Sequence, residues 1–212
     1  MDLLGRKKMD KEKVYSILLP LAKDIAKQKE GALFVIGPKR KFRRNYELMF
    51  PQMVGKHMLD DPGVGKVLMK LATLDGAILV SNQGEILAYG AKLKRSRPVT
   101  GHGTRHAAAC GITSHIKDST AVLVSEESNW IKVFKEGNII LETDYKESPS
   151  SLNNKVISFL SEGDTALLTA GGISAALLGG PAVAPIMIAG GTYLAIKTAT
   201  GIIKKNWNER FK

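Results

Sequence analysis

The sequence contains one cysteine, Cys110, which excludes an intramolecular disulfide and any zinc cluster built from cysteines. A lone cysteine is also typical of a protein in a reducing compartment. The Walker phosphate loop and the HExxH metalloprotease motif are both absent. The histidines lack the spacing of zinc ligands, so a structural zinc site is not predicted.

A secretory signal peptide is also missing from the N-terminal residues. Arg6, Lys7 and Lys8 are followed by no apolar run before Lys11, whereas a signal peptide has an apolar core directly after its basic residues. We therefore expect the main domain to lie in the cytoplasm.

Acidic residues are few relative to basic ones. The 212 residues include 31 lysines and arginines and 20 acidic residues, a net charge of +11. This excess favours anionic partners such as nucleotides, nucleic acid or acidic lipid, and charge alone does not choose among them. The length suits one α/β domain with an appendage.

The first half of the chain alternates helical and strand patterns. Apolar residues recur at helical spacing over residues 11–29, which predicts an amphipathic helix with a kink, or two short helices, at Pro20. Residues 31–37 predict a buried strand, and residues 62–73 predict a helix. The basic segment between them, residues 38–50, predicts an exposed loop, with phosphate tracking as the alternative.

The middle of the chain is richer in strands. Two β-rich runs flank Asn82 to Gly84, and two more flank residues 135–138, so two hairpins are predicted. Residues 107–116 predict a helix, and residues 120–127 a further strand. The fold class that follows is α/β, with a mixed central β-sheet flanked by helices.

The C-terminal part differs in composition. A polar stretch at residues 147–154 suggests a boundary, which divides the chain into residues 1–29, 30–147 and 148–212. Residues 166–196 carry no charge, so this run exceeds the roughly 20 residues that span a bilayer. Pro181 and Pro185 interrupt it. We expect a glycine-rich helical segment that contacts membrane lipid through residues 165–203, with a helical pair buried against protein as the alternative.

Three groups of polar residues stand where strands or helices begin or end. Asp75 precedes an apolar strand, where it could hold a divalent cation or simply form a turn. Gly103 and Thr104 precede Arg105 and His106 in a first helical turn, which favours phosphate binding, although an ordinary helix start has the same pattern. Ser125 to Glu127 close a strand and could contact phosphate or metal.

These groups together resemble a known family. "LDGA" at residues 74–77, "GTRH" at residues 103–106 and "VSEE" at residues 124–127 resemble, in order and separation, the motifs of the diadenylate cyclase domain. "GALFVIG" at residues 31–37 is similar to the opening strand of that family. The resemblance covers roughly residues 20–145 and implies a mixed β-sheet domain.

The activity implied by the resemblance is the condensation of two ATP molecules into cyclic di-AMP, with release of two pyrophosphates. Each subunit would hold one ATP, and a second copy in a homodimer or higher oligomer would complete the site face to face. The implied cofactor is Mg²⁺ or Mn²⁺, held by Asp75, with Glu126 as a secondary candidate for metal or nucleotide. The implied catalytic residues are Asp75, Arg105 and His106, and the implied nucleotide-binding residues are Gly76, Ala77, Leu93, Gly103, Thr104, Arg105, His106 and Ser125.

One position departs from the family pattern. The family often has a second arginine directly after Arg-His, and this sequence has Ala107 there. A catalytically silent nucleotide sensor of the same fold is therefore the alternative to an enzyme. A basic nucleic-acid-binding protein is a further alternative, although the resemblance argues against nucleic acid as a partner.

Overall fold

The computed structural model describes residues 8–98, 103–146, 154, 156–157, 186–189 and 192–195. Within these ranges, ten strands form a single mixed sheet with helices on both faces. The helices are α1 (Lys11–Lys27), α2 (Lys39–Phe42), α3 (Val64–Ala72) and α4 (Thr104–His115). The strands are β1 (Ala32–Gly37), β2 (Tyr46–Leu48), β3 (His57–Met58), β4 (Ala77–Ser81), β5 (Glu85–Leu93), β6 (Thr120–Val124), β7 (Trp130–Lys135), β8 (Asn138–Asp144), β9 (Ile186–Ala189) and β10 (Thr192–Ala195).

The strands follow the order β2-β5-β4-β1-β6-β7-β8-β10-β9, and β3 pairs with β5 beside this path. β1 is parallel to β4, and it is antiparallel to β6 on its other side. All six residues of β1 are buried. A strand buried on both faces reads as a continuous apolar run, which is why residues 31–37 predicted it correctly.

Two apolar cores lie on opposite faces of the sheet. Phe34 and Ile36 of β1 pack with α1 and α3 on one face, and Leu33 and Val35 pack with α4 on the other. This division follows from the alternation of side chains along a strand. The predicted α/β class, with a mixed sheet between helices, is confirmed.

Of the two alternatives predicted at Pro20, two short helices are wrong, because α1 runs continuously through that residue, and a kink there stays a prediction. Asp10 caps its start by accepting a hydrogen bond from the Lys13 N–H at 2.8 Å. A proline inside a helix costs about 3 kcal/mol. Leu18 and Leu19 are fully buried, and each such side chain contributes about 1.5–3 kcal/mol. Packing on the sheet therefore offsets the lost hydrogen bond.

The prediction of an exposed loop over residues 38–50 is only partly right. α2 and β2 both lie in this segment, and β2 pairs with β5. The lysines are exposed, but Phe42 is buried in the core beside α4. One aromatic side chain thus anchors a segment whose composition is otherwise that of a loop.

Both predicted hairpins are present. β4 and β5 are joined through Asn82 to Gly84, and β7 pairs with β8 up to Lys135 and Asn138. α4 begins at Thr104, three residues before the predicted start. The predicted helix at residues 62–73 corresponds to α3.

The prediction of a helical C-terminal segment is wrong for residues 186–189 and 192–195, which form β9 and β10. β10 pairs with β8 through Thr192 and Thr143, and it pairs with β9 through Thr192 and Ala189. Only Gly190 and Gly191 separate the two strands in sequence, and a Gly-Gly pair is a hairpin signal. The uncharged composition of this segment indicates a helix, whereas the Gly-Gly pair indicates a hairpin.

Most of the predicted lipid-contacting segment, residues 165–185 and 196–203, lies outside the described residues. Among the residues that are described, none belongs to a helix with both the length and the apolar character needed to cross a bilayer.

A buried tyrosine makes the stability of this fold depend on pH. Burial raises the pKa of Tyr15 from 10.0 to about 12, and a hydrogen bond with Thr120 acts more weakly in the opposite direction. Between these values the unfolded chain releases the phenolic proton while the folded chain retains it. The contribution of the protonated, buried Tyr15 to the free energy of unfolding is therefore complete below pH 10 and is lost as the pH rises toward 12.

The expected loss is up to ~3 kcal/mol in the free energy of unfolding. Urea denaturation at several alkaline pH values measures it, with Tyr15→Phe as the control. The wild-type protein should lose stability more steeply with pH than the variant. Parallel pH profiles for the two proteins would contradict the prediction.

Candidate functional site

The candidate residues lie at one end of the strands. Phe34 of β1 pairs with Ile78 of β4 and with Val122 of β6. Because β1 is parallel to β4 and antiparallel to β6, the starts of β1 and β4 lie beside the end of β6. β5 is antiparallel to β4, and Ala77 pairs with Ala91, so the end of β5 is there as well. We call this end of the sheet the α4 end, because the start of α4 lies against it.

The first turn of α4 offers backbone donors at the α4 end. Gly103 is the N-cap residue in an extended conformation, and no side chain caps the helix. The N–H groups of His106 and Ala107 both approach the Gly103 carbonyl, at 3.1 and 3.3 Å. A helix start without a side-chain cap leaves earlier N–H groups available to an anion, and the helix dipole favours negative charge there.

A cavity of about 530 Å³ lies between the start of α4 and the end of β6. Its lining comprises Gly103, Thr104, Arg105, His106, Leu123, Val124, Ser125, Glu126 and Glu127. The structure thus brings together two of the three sequence groups, those at residues 103–106 and 124–127.

Arg105 is the cation of this cavity. Its Nη1 atom donates to Oε2 of Glu126 at 3.3 Å, and the Arg105 side chain is 26% exposed while that of Glu126 is 66% exposed. The bond is longer than the roughly 2.7–2.9 Å of a strong charge-assisted hydrogen bond. An ion pair with one largely exposed partner is weak. A phosphate group could therefore replace Glu126 as the partner of Arg105 at little cost.

His106 lies deeper than its neighbours. It is 5% exposed, and its ring meets that of Phe134 edge to face with the centroids 6.1 Å apart. His106 also lines the cavity. This packing holds the first turn of α4 against β7, which positions Thr104 and Arg105.

Ser125 shapes the loop that follows β6. Its N–H donates to the Trp130 carbonyl at 2.9 Å, and its carbonyl accepts from the Asn129 N–H at 2.8 Å. Its hydroxyl lies 3.4 Å from the Ser128 nitrogen, which donates to it. The side chain of Ser125 thus faces a tight turn that presents Glu126 and Glu127 at the mouth of the cavity.

The third sequence group lies at the α4 end but outside this cavity. Asp75 is exposed, Ala77 is buried, and Leu93 is half-buried at the end of β5. β4 and β6 are separated by β1, so two strand spacings, about 10 Å, lie between the "LDGA" group and Ser125. Among the described residues, no three acidic, histidine or cysteine side chains cluster as metal ligands. Any cation at Asp75 would take most of its ligands from elsewhere.

Gly76 has a structural role within that group. Its φ is +94°, and a Cβ atom there would lie 2.6 Å from the Gly90 carbonyl carbon and 2.8 Å from the Ala91 nitrogen. Only glycine permits both this backbone conformation and this close approach of β5. The turn that presents Asp75 therefore depends on Gly76.

Sequence reasoning missed Gly31 as a site residue. A Cβ atom at this position would lie 2.3 Å from Nη1 of Arg105. The available signal was a glycine directly before a buried strand, but its contact with a helix residue far along the chain is invisible in the sequence.

Comparison with known proteins places the chain among nucleotide-binding domains. The family model described as DisA bacterial checkpoint controller nucleotide-binding matches residues 21–139. A diadenylate cyclase of Haloferax volcanii is 31% identical over 138 residues, which cover 62% of this chain and 51% of that protein. A diadenylate cyclase of Methanocaldococcus jannaschii is 33% identical over 87 residues, which cover 40% of this chain and 28% of that protein. The chain therefore spans about half of the first relative and less of the second.

The crystal structure of a double mutant of DacA from Staphylococcus aureus shares the fold. It superposes with a TM-score of 0.50 at 20% sequence identity, over 71% of this chain and 97% of that one. The family match covers more than half of the sequence and includes both the cavity and the "LDGA" group. The chain belongs to the DAC family of DisA-type nucleotide-binding domains.

Proposed function

We propose that this chain is a diadenylate cyclase, which condenses two ATP molecules into cyclic di-AMP and two pyrophosphates. The observation that carries the proposal is the cavity where Arg105 and the uncapped start of α4 face the end of β6. Two relatives are named diadenylate cyclase, and this supports the proposal. In the reaction each 3′-hydroxyl attacks the α-phosphorus of the other ATP, loses its proton and displaces pyrophosphate.

The residues of the cavity would bind the triphosphate. Backbone N–H groups at Gly103 and Thr104 lie at the positive end of the α4 dipole. Arg105 would exchange its weak bond to Glu126 for phosphate oxygens. Ser125 would add a hydroxyl donor, and His106 would keep this turn in place from the core side. Gly76, Ala77 and Leu93 would lie along the nucleoside, at the same end of the sheet.

A divalent cation, Mg²⁺ or Mn²⁺, fits the charges at the site. Arg105 is accompanied by two carboxylates, Glu126 and Glu127, in the cavity lining, so an anionic triphosphate would enter more easily with its own cation. Asp75 offers an exposed carboxylate, and Mg²⁺ commonly uses one or two protein carboxylates together with phosphates and water. When bound, the cation would offset charge on the transferring phosphoryl group.

A second copy of the chain would supply the second ATP. One cavity of this size accommodates one nucleotide, whereas the product needs two that face each other. Holding both in line could contribute about 7–11 kcal/mol toward the barrier. A single subunit should therefore be nearly inactive, and the rate per chain should rise with protein concentration.

A nucleotide sensor without catalysis is the second candidate, and Ala107 favours it. The carbonyl of Ala107 accepts a hydrogen bond from the Arg97 N–H at 2.8 Å, but its methyl group supplies no positive charge to phosphate. Placement in the cytoplasm and contact with lipid through residues 165–203 are also predictions still to be tested.

Incubation of the full chain with ATP and either Mn²⁺ or Mg²⁺ tests the proposal, with cyclic di-AMP and pyrophosphate quantified by mass spectrometry. We expect two pyrophosphates for each cyclic di-AMP. ATP binding without product would support the sensor instead. Nucleic-acid binding that weakens steeply with salt, with no response to ATP, would support the nucleic-acid alternative.

A further inference from the structure

We propose that Gly31 is a positioning residue for Arg105. Because glycine has no side chain, the guanidinium can lie against the backbone at residue 31, in a space that we call the seat. The inference rests on the proposed role of the cavity in binding phosphate. Gly31 directly precedes β1. This strand lies between β4, which begins at the "LDGA" group, and β6, which ends just before Ser125.

The contacts of the guanidinium define the seat. A Cβ atom at residue 31 would lie 2.3 Å from Nη1 and 3.2 Å from Cζ of Arg105, and 3.2 Å from Cβ of Glu126. The guanidinium therefore touches the backbone at Gly31 on one side and Glu126 on another. Since the hydrogen bond to Glu126 is long, the bond alone would not fix the orientation of Arg105. The seat restricts it from the side of the sheet.

The backbone itself does not require glycine at residue 31. Its φ lies outside the left-handed region, unlike that of Gly76. An alanine could adopt this conformation without backbone strain. The severe collision, at 2.3 Å, would be with the far end of a long side chain, which can rotate away. The second contact, with Cβ of Glu126 at 3.2 Å, requires a shift of only a few tenths of an ångström. Alanine should therefore displace the guanidinium and leave the fold intact.

The test compares Gly31→Ala with wild type for binding of inorganic tripolyphosphate by calorimetry. A displaced guanidinium loses a charge-assisted bond to phosphate, so the affinity should fall about tenfold. Gly65→Ala is the matched control, because a Cβ atom there would meet only Leu21, at an ordinary 3.7 Å. Its affinity should equal that of wild type.

Arg105→Ala and the double variant show whether Gly31 acts through Arg105. Arg105→Ala should weaken binding, and adding Gly31→Ala to it should cause no further loss. A second, additive loss would overturn the proposal. Wild-type affinity in Gly31→Ala would also overturn it.

Two further outcomes separate this inference from the proposed function. If Arg105→Ala binds tripolyphosphate as well as wild type does, the phosphate site itself is wrong, and the inference is overturned with it. If Arg105→Ala weakens binding while Gly31→Ala does not, only the role of Gly31 is overturned. The melting temperature of Gly31→Ala should match that of wild type. A large drop in melting temperature would show that the methyl group disturbs the fold, and this would contradict the proposal.

Discussion

Replacing Asp75 by asparagine should lower cyclic di-AMP formation at least about 100-fold if the proposed function holds, because an amide keeps the shape of the carboxylate but lacks the charge that would hold a cation. The stability should change little. Asp75 is exposed, and surface substitutions of this kind usually stay within about 0.5 kcal/mol. Product is measured by mass spectrometry under the conditions used for wild type.

Nucleotide binding separates the role of Asp75 from that of Arg105. Asp75 does not line the cavity that contains Arg105, so Asp75→Asn should retain much of its affinity for ATP while losing product. Asp24→Asn is the control, because Asp24 is a half-buried aspartate in α1 that pairs with Lys27 at 2.8 Å and does not line the cavity. Product formation by Asp75→Asn at the wild-type rate would exclude a role for this carboxylate.

Gly76→Ala is expected to destabilise the protein by about 2–5 kcal/mol. A left-handed conformation costs a non-glycine residue about 1–2 kcal/mol, and the collision with the backbone of β5 adds about 1–3 kcal/mol of overpacking. Neither Gly90 nor Ala91 can rotate away, since the contacting atoms belong to the main chain. Urea denaturation measures the free energy of unfolding.

Gly63→Ala separates the two causes. Gly63 also has a positive φ, +80°, but a Cβ atom there would meet nothing within 4 Å. This control should show the conformational cost alone, about 1–2 kcal/mol. Equal losses in the two variants would mean that β5 does not constrain residue 76. A larger loss in Gly76→Ala would show that the "LDGA" group is held by strand packing as well as by its own turn.

Several features of the fold could be predicted because their signals are local. β1 is buried on both faces, and such strands are continuously apolar, so residues 31–37 predicted it with one extra residue at its start. The two hairpins have turn residues at Gly84 and at residues 135–138, between β-rich runs. Interruptions were less predictable, since Pro20 signals a break while the buried leucines of α1 maintain the helix. In residues 186–189 and 192–195, composition suggested helix, whereas the pairing of β10 with β8 and of β9 with β10 requires strands.

For the site, residue type and local order identify the groups with suitable chemistry: an acid before a strand, a glycine, threonine, arginine and histidine at a helix start, and a serine with two glutamates after a strand. Local order and residue type are enough for that. Which of these groups meet depends on how the helices and strands pack. The packing of α4 against β6 and β7 brings residues 103–106 to residues 124–127, and the strand order leaves Asp75 two strands away. It also places Gly31 under Arg105, because contacts between distant residues depend on how strands pair and not on any local pattern.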